Sequence, residues 1–324
     1  MRAVIPAAGI GKRLRPLTLT KPKVLLPVAG KPILGHILDR VIESGIREVT
    51  LIVGYYGDLV RDYVRKNYDL SFEFAEQEVR RGLGHAVGMG LKDSDEPVLI
   101  LLGDTVVDMN FGKFRECRDN IIGVMEVDDP QRFGIVEVDG LRVRSLVEKP
   151  ENPPSNLAIA GVYLLQSQRE LQSAIRHIVD KDITTKGEYQ LTDALSVMLS
   201  RNRRMQIERI KACYDCGTRE TLLETNRHLL SLRKPELYDS AENRIIPPVF
   251  IHPEAQLKNC IVGPHVSIGS DTILEQSVIA NSIVGEHSRL RRSVLEGSII
   301  GDHCHVTGKT KTIDLGDYSS AEIG

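Results

Sequence analysis

Two glycines and three cationic side chains lie close together in the loop that follows the first strand-like segment. Gly9 and Gly11 can adopt backbone angles that are closed to other residues, and they let main-chain N–H groups approach a ligand. Lys12, Arg13 and Lys23 add positive charge to the same loop. A loop of this composition is suited to binding a triphosphate.

The loop extends over residues 6–34 and matches neither of two common phosphate-binding signatures. A dinucleotide fingerprint needs a third glycine three residues after the second, where this chain has Leu14. A P-loop needs Gly-Lys-Ser/Thr after a four-residue gap, and that string is also absent. Two glycines alone are more often a plain strand-to-helix turn, so the cations and the later motifs favour the phosphate interpretation.

Strand-like and helix-like segments alternate over residues 1–232, which is typical of βαβ units. The pattern predicts an α/β fold with a Rossmann-like, mostly parallel sheet. Aliphatic residues share one helical face from 33 to 44, and strands are predicted at 49–53, 72–74 and 98–102. Residues 233–248, with Pro235, Pro247 and Pro248, are predicted to be a linker.

Residues 249–324 have a different period. The octets NCIVGPHV, NSIVGEHS and GSIIGDHC begin at residues 259, 281 and 297. Such hexapeptide-like repetition predicts a short left-handed parallel β-helix with an aliphatic core. Its histidines, His265, His287 and His303, are expected at coil corners. An acyltransferase base is the less favoured alternative, because about four coils leave little room for an acyl-donor groove.

The composition excludes several classes of protein. The chain has 324 residues, with Lys+Arg 42 against Asp+Glu 44, so no basic field for nucleic acid or anionic lipid is expected. The N-terminus enters a strand at once and no apolar run approaches membrane-spanning length, which predicts a cytoplasmic protein. Reduced thiols are expected at Cys117, Cys213, Cys216, Cys260 and Cys304. The CxxC at Cys213 and Cys216 is weak evidence for zinc without a second pair.

The N-terminal strings together resemble a family signature. A small-Gly-x-Gly loop is followed by Arg-Leu-x-Pro-Leu-Thr, then by Pro-Lys-x-Leu-Leu-Pro-Val and Lys-Pro. This pattern resembles that of the sugar-1-phosphate nucleotidyltransferases, the NDP-sugar pyrophosphorylases. The resemblance implies that Arg13 and Lys23 are catalytic and bind the nucleotide phosphates, together with the loop residues Ala8, Gly9 and Gly11. The usual threonine before the arginine is Lys12 here, so a hydroxyl contact is lost while a cation is gained.

The resemblance also implies a base site and a metal site. Gln77, five residues before Gly82, would read a pyrimidine base, because an amide offers both a donor and an acceptor. Asp104 follows the strand PVLILL, at the sheet edge where ligands bind in open α/β folds. Asp104 and Asp215 would bind Mg²⁺, which prefers carboxylate oxygens and substrate phosphates. Asp104 would also count among the catalytic residues. Either aspartate alone would more often be a turn former or a helix cap.

A sugar-phosphate site is implied further along the chain. By resemblance, the Gly134 amide and the Glu148 carboxylate bind sugar hydroxyls, Lys149 meets the sugar phosphate, and Gly161 belongs to the same site. Asp193 lies in a segment that resembles the family helix near the sugar. The alternative for Glu148 and Lys149 is a solvated ion pair before a proline-rich loop.

The implied reaction is transfer of a nucleotidyl group from dTTP or UTP to a sugar 1-phosphate, with glucose 1-phosphate as the first choice. It needs no protein nucleophile, because the attacking phosphate is already anionic; charge repulsion and orientation are the obstacles. The expected partners are these two substrates and further copies of the chain, which would associate through the β-helix. Neither nucleic acid nor a membrane is an expected partner. The alternative is a non-catalytic binding subunit. Such a subunit is expected to have lost a signature cation or a metal ligand, whereas this chain has all four: Arg13, Lys23, Asp104 and Asp215.

Overall fold

The computed structural model describes residues 1–109, 118–234, 241–308 and 312–323, so Cys117 and Pro235 lie outside the described residues. The chain divides into two compact units. The first contains Met1–Gly9 with Ile37–Cys213, and the second contains Ile10–His36 with Tyr214–Gly324. The domain boundaries at residues 232 and 248 are a division based on sequence and stay a prediction.

Helices of moderate length lie in both units, and their ends carry recognisable signals. In the described ranges they are α1 (Ile33–Glu43), α2 (Gly57–Asn67), α3 (Leu83–Gly90), α4 (Gln168–Asp180), α5 (Leu191–Ser200) and α6 (Arg219–Ser231). The side chain of Thr218 accepts a hydrogen bond from the Thr221 N–H, and the Thr221 hydroxyl accepts one from the Thr218 N–H. This reciprocal cap fixes the start of α6. Across the described ranges, no helix is long and apolar enough to cross a membrane.

The strands of the N-terminal part of the chain include all nine strands of one large sheet and a separate two-stranded antiparallel hairpin. They are β1 (Arg2–Pro6), β2 (Pro27–Val28), β3 (Lys31–Pro32), β4 (Glu48–Val53), β5 (Ser71–Glu76), β6 (Val98–Leu101), β7 (Thr105–Asp108), β8 (Asn120–Glu126), β9 (Gly134–Asp139), β10 (Arg142–Glu148), β11 (Leu157–Leu165), β12 (Met205–Arg209) and β13 (Ala212–Asp215). The strands predicted at 49–53, 72–74 and 98–102 correspond to β4, β5 and β6.

A nine-stranded sheet with the order β5-β4-β1-β6-β11-β8-β12-β10-β9 forms the centre of the first unit. The strands β5, β4, β1 and β6 pair in parallel, as do β8 and β12. The two strands β11 and β10 are antiparallel to their neighbours. The other seven strands of the sheet run in the same direction. This confirms the predicted α/β fold with a mostly parallel sheet.

The core of the first unit explains why its central strands are uninterrupted aliphatic runs. Ala3, Val4 and Ile5 of β1 are fully buried, because helices cover both faces of a parallel sheet. A cluster of buried aliphatic residues from β6, β8, β11 and helices α3 to α5 continues this core. The sheet therefore fixes the carboxyl ends of β1, β5 and β6.

The C-terminal strands stack as successive coils. They are β14 (Arg244–Ile245), β15 (Val249–Ile251), β16 (Gln256–Lys258), β17 (Ile261–Val262), β18 (Val266–Ile268), β19 (Ile273–Glu275), β20 (Val278–Ala280), β21 (Ile283–Val284), β22 (Arg289–Arg291), β23 (Val294–Glu296), β24 (Ile299–Ile300), β25 (His305–Gly308), β26 (Asp314–Leu315) and β27 (Ser320–Ile323). They form three parallel sheets. Ile261 pairs with Val278 and Val278 with Val294, steps of 17 and 16 residues.

The coils enclose an aliphatic core of their own, which is the arrangement expected of a β-helix. His265 (φ 61°), His287 (φ 54°) and His303 (φ 54°) are among the residues between strands that have left-handed backbone angles, which agrees with the predicted coil corners. The predicted linker 233–248 contains β14, which pairs with β17 of the repeats.

Candidate functional site

The glycine-rich loop is closed around Gly11. Gly11 has φ +69°, and a Cβ at this position would lie 3.0 Å from both the Lys23 Cβ and the Thr18 Cγ2. The Thr18 hydroxyl donates a hydrogen bond to the Gly11 carbonyl oxygen at 2.9 Å. Only glycine fits this combination of backbone angle and close packing. The short 3-10 turn Lys12–Leu14 begins immediately after it and carries Arg13.

The structure brings Arg13, Lys23 and Asp215 together around Gly217. The Lys23 side chain is only 7% exposed, and its Nζ lies 3.5 Å from Oδ1 of Asp215, whose side chain is 46% exposed. A Cβ on Gly217 would lie 2.6 Å from Asp215 Oδ2 and 2.9 Å from Arg13 Nη2. Two cations and one half-exposed carboxylate thus share this corner of the second unit.

Asp104 is fixed at the carboxyl end of β6 in the first unit. The preceding Gly103 donates its N–H to the Pro6 carbonyl oxygen at 3.0 Å, and a Cβ there would lie 2.5 Å from the same oxygen. The Thr105 hydroxyl donates to Asp104 Oδ1 at 3.3 Å. The end of β6 is therefore held against the end of β1, and Asp104 follows directly.

Gly161 supports the same strand end from β11. Its φ is +75°, its carbonyl oxygen accepts the Leu102 N–H at 3.0 Å, and a Cβ there would lie 2.8 Å from Leu102 Cδ1. The register of β11 against β8 shifts at this point, between Ile159 and Tyr163. Gly161 thus packs against Leu102, the residue before Gly103. The role of Gly161 toward the sugar phosphate stays a prediction.

Gln77 and Gly82, the two residues predicted to bind the base, lie close to each other. Gln77 is buried, and its Nε2 lies 3.5 Å from the Gly82 carbonyl oxygen and 3.3 Å from His85 Nδ1. Gly82 has φ +111°, and a Cβ there would lie 2.6 Å from the Tyr189 carbonyl oxygen. Burial, and then the charge of Arg81, lower the pKa of His85, which favours a neutral ring that can accept from the Gln77 amide.

Gly134, Glu148 and Lys149 form a second group in the first unit. Gly134 and Glu148 are opposite each other in β9 and β10. The Thr192 hydroxyl donates to Glu148 Oε2 at 2.7 Å, and Lys149 Nζ lies 3.3 Å from Glu148 Oε1. A Cβ on Gly134 would lie 2.9 Å from both the Thr192 hydroxyl and Glu148 Oε2. The Glu148 carboxylate, 9% exposed, is thus held from two sides.

Asp193 follows Thr192 in the first turn of α5. Burial raises the pKa of its carboxyl group, the hydrogen bond from the Thr185 hydroxyl opposes this rise, and the negative charge of Glu148 adds to it. The charge of Glu148, which is predicted to bind the sugar, therefore acts on the Asp193 carboxyl group.

Two side chains of these groups were missed in the sequence. Arg80 donates from Nε to the Ala8 carbonyl oxygen at 3.1 Å, which ties the loop after Gln77 to the start of the glycine-rich loop. Thr192 holds Glu148, as described above. The available signal was an arginine between Gln77 and Gly82 and a hydroxyl in the first turn of a predicted helix, and neither is distinctive without the fold.

The carboxylates fit the hard cation that the resemblance implies. Asp215 is half-exposed and projects oxygens beside two cations, while Asp104 stands at a strand end. In the part of the chain that the structure describes, no three His, Cys, Asp or Glu side chains converge. Single carboxylates of this kind suit a divalent cation that retains waters and takes substrate phosphate oxygens.

The cysteines of the described ranges, Cys213, Cys216, Cys260 and Cys304, are not joined in disulfides. The Cys213 thiol lies 3.5 Å from the Ala160 carbonyl oxygen, and the Cys216 thiol lies 3.4 Å from the Thr225 hydroxyl.

Comparison with known proteins decides the family. A model described as nucleotidyl transferase matches residues 2–231. The chain belongs to the nucleotidyl transferase family. This member is 33% identical over 248 residues to the bifunctional protein GlmU of Methanocaldococcus jannaschii, across 76% of this chain and 58% of GlmU. It therefore spans less than two thirds of that relative's length.

Other relatives of this nucleotidyl transferase are matched over more of their length. It is 31% identical over 314 residues to the glucose-1-phosphate thymidylyltransferase of Streptomyces griseus, across 88% of this chain and 87% of the relative. Among solved structures, UDP-glucose pyrophosphorylase in complex with UDP-glucose superimposes with a TM-score of 0.62 at 25% identity. That match covers 72% of this chain and 99% of the pyrophosphorylase.

Proposed function

We propose that the protein transfers a nucleotidyl group from UTP or dTTP to glucose 1-phosphate, and so produces an NDP-glucose and pyrophosphate. The observation that carries this proposal is the group of Arg13, Lys23 and Asp215 around Gly217, at the end of a glycine-rich loop. The relatives that are a glucose-1-phosphate thymidylyltransferase and a UDP-glucose pyrophosphorylase support the choice of substrates.

The nucleotide phosphates bind to the loop. The main chain of Ala8, Gly9 and Gly11 approaches them, and Arg13 and Lys23 neutralise their charge. Lys23 is buried and so its ammonium is already desolvated, which strengthens its attraction for an anion. These two cations reduce the repulsion between the incoming sugar phosphate and the triphosphate, which is the main obstacle to reaction.

The base binds beside Gln77 and the main chain of Gly82. Because the Gln77 Nε2 already faces the Gly82 carbonyl oxygen and His85, the amide is held in one orientation. Uracil and thymine present the same N3–H and carbonyl edge to an amide, so this site accepts UTP and dTTP alike.

Asp104 and Asp215 are the residues that would hold Mg²⁺. When bound, Mg²⁺ supplies charge neutralisation and orientation of the phosphate oxygens. The protein itself provides no nucleophile in this account. Its residues bind the two substrates, orient them in line and exclude competing arrangements.

The sugar phosphate binds at the group formed by Gly134, Glu148 and Lys149, with Gly161 behind it. The Glu148 carboxylate accepts from sugar hydroxyls, and Thr192 and Lys149 keep it in place. Lys149 is more exposed than Glu148, so its ammonium can also meet the phosphate of the sugar.

The C-terminal coils are proposed to form a left-handed β-helix through which the chain forms a homo-oligomer. Ile261, Val278 and Val294 are partly exposed and lie in register on neighbouring strands of one face. Burial of such an aliphatic stripe between copies would be favourable. Light scattering of the purified protein tests this part: an oligomer is expected, and a monomer at all concentrations contradicts it.

A pyrophosphate-release screen tests the function. UTP, dTTP, CTP, GTP and ATP are each combined with several sugar 1-phosphates in the presence of Mg²⁺. Release is expected with UTP or dTTP and glucose 1-phosphate. Binding of these nucleotides without release under any combination would favour a non-catalytic binding subunit instead.

A further inference from the structure

The last coils of the β-helix hold a lysine of the glycine-rich loop. The Lys21 ammonium pairs with Asp302 Oδ2 and lies 3.3 Å from Asp317 Oδ2. The Thr20 hydroxyl also donates to Asp317. The Lys21 side chain is 16% exposed and that of Asp317 is 5% exposed, so this is a largely desolvated ion cluster and not a surface pair.

Both carboxylates are fixed before they meet the lysine. Asp302 Oδ1 accepts the Glu286 N–H at 2.9 Å, and Asp317 Oδ1 accepts the Asp302 N–H at 2.8 Å. Each aspartate therefore uses one oxygen to bind the coil backbone and presents the other to Lys21. Such carboxylates have little rotational freedom and define the position of the ammonium.

The restraint on Lys21 reaches Lys23 through a short, stiff connection. Pro22 separates the two lysines and is the residue that precedes the 3-10 turn Lys23–Leu25. Its ring fixes one backbone angle of the connection. On the other side, Pro16 packs on the coil: a Cβ at Gly316 would lie 3.0 Å from the Pro16 carbonyl oxygen.

The same coils also hold the segment that carries Asp215. Arg219, the first residue of α6, pairs with Asp314 and donates to the Gly297 carbonyl oxygen. Asp215 lies four residues before Arg219 and faces Lys23. Both partners of the Lys23–Asp215 contact are thus anchored to the last coils, through Asp302 and Asp317 on one side and Gly297 and Asp314 on the other.

The charge of Lys21 is stable under assay conditions. Burial lowers the pKa of the Lys21 ammonium, but the charges and hydrogen bonds of Asp302 and Asp317 together outweigh this and raise the pKa above its ordinary value. A group with a raised folded-state pKa stays protonated at every pH below its ordinary value of 10.5, so the ion cluster persists through the neutral range.

We propose that Asp302 and Asp317 are positioning residues of the nucleotide site, which act through Lys21 to fix Lys23 and, with Asp314 and Arg219, make the end of the β-helix a working part of that site. This inference rests on the proposed function. It assigns the repeat domain a role in nucleotide binding that is separate from oligomer formation.

The test compares Asp317→Asn and Lys21→Met with Asp271→Asn in the full-length protein. Asp271 is the control, because it is an exposed aspartate of an earlier coil that pairs only loosely with His287. Calorimetric titration with UTP gives the dissociation constant, and pyrophosphate release gives kcat and both KM values. Asp317→Asn and Lys21→Met should weaken UTP binding between about threefold and a hundredfold, the range for coupled neighbours. The KM for glucose 1-phosphate should stay unchanged.

A second comparison separates positioning from loss of stability. In a Lys23→Met background, Asp317→Asn should produce no further change in UTP affinity, although it still lowers the melting temperature. Lys21→Arg retains the positive charge that Lys21→Met removes, so it should bind UTP with most of the wild-type affinity. The proposal would be overturned if Asp317→Asn bound UTP as tightly as Asp271→Asn does. It would also be overturned if Asp317→Asn lowered UTP affinity equally in the wild-type and the Lys23→Met proteins. If the wild type binds UTP but releases no pyrophosphate, the proposed function fails while these affinities still decide the positioning role.

Discussion

Lys23 Nζ lies 3.5 Å from Asp215 Oδ1, although the two residues are 192 positions apart in the chain. The lysine is buried and the carboxylate is half-exposed. A desolvated ammonium attracts anions strongly, so Lys23 is suited to a phosphate as well as to the Asp215 carboxylate. This contact is therefore the arrangement expected at a site that binds both a nucleotide phosphate and a cation.

Lys23→Gln should lower kcat/KM for UTP by about 10²- to 10³-fold, the usual cost of removing one preorganised charge-stabilising donor. Initial rates of pyrophosphate release measure the effect. Lys66→Gln, at the exposed end of α2, is the matched control for loss of one lysine. Equal activity in the two variants would show that Lys23 does not contact the nucleotide.

Gly82→Ala should destabilise the fold and weaken UTP binding. Its φ of +111° is strained for alanine, and the new Cβ would meet the Tyr189 carbonyl oxygen at 2.6 Å. The strain alone costs about 1–3 kcal/mol. Gly140→Ala is the control, because Gly140 also has a positive φ but has nothing within 4 Å of its Cβ position. Thermal unfolding should show the larger loss for Gly82→Ala, and an equal loss would refute the packing argument.

Thr192→Val should raise the KM for glucose 1-phosphate more than the KM for UTP. The variant removes the hydrogen bond to Glu148 Oε2, and a hydrogen bond to a charged group contributes about 1.5–3 kcal/mol. We expect a tenfold or greater change, because roughly 1.4 kcal/mol corresponds to a factor of ten. Ser145→Ala, which removes a hydroxyl donor to the exposed Glu137 in the same hairpin, is the control. A change that falls equally on both substrates would contradict a sugar-side role.

Acid should weaken the fold partly through Glu73. Hydrogen bonds from Arg2 and then Lys92 lower the pKa of this carboxyl group from 4.5 to about 2. The stabilisation is thus complete above pH 4.5 and is lost as the pH falls toward 2. Because Glu73 is half-exposed, solvent screening keeps the effect small.

Urea unfolding of Glu73→Gln at neutral pH and at about pH 3 measures this contribution. The variant should be less stable than the wild type at neutral pH and differ less from it in acid. Glu224→Gln, on the exposed side of α6, is the comparison. An unchanged difference between wild type and Glu73→Gln at both pH values would rule out the Arg2 contact as its source.

Local patterns in the sequence were sufficient for the alternation of strands and helices and for several individual elements. The aliphatic stripe of α1 and the strands β4, β5 and β6 each follow from neighbouring residues. The octets likewise predicted stacked coils, since each coil can bury its aliphatic residues only against the next.

Relationships between distant segments could not be obtained in this way. The antiparallel direction of β11 depends on its neighbours in the sheet, and no local pattern encodes it. Thr192 lies 44 residues from Glu148, and Lys21 lies 281 residues from Asp302. Each of these side chains is unremarkable until the fold supplies its partner, so the supporting residues of the candidate site emerged only from the structure.

The most direct test of the central claim is synthesis of an NDP-glucose from UTP or dTTP and glucose 1-phosphate with Mg²⁺, followed by mass spectrometry and by pyrophosphate release. The wild type should form equal amounts of NDP-glucose and pyrophosphate, and Asp104→Asn should form neither while it retains the wild-type melting temperature. Absence of product from the wild type with both nucleotides, or an undiminished rate in Asp104→Asn, would contradict the account.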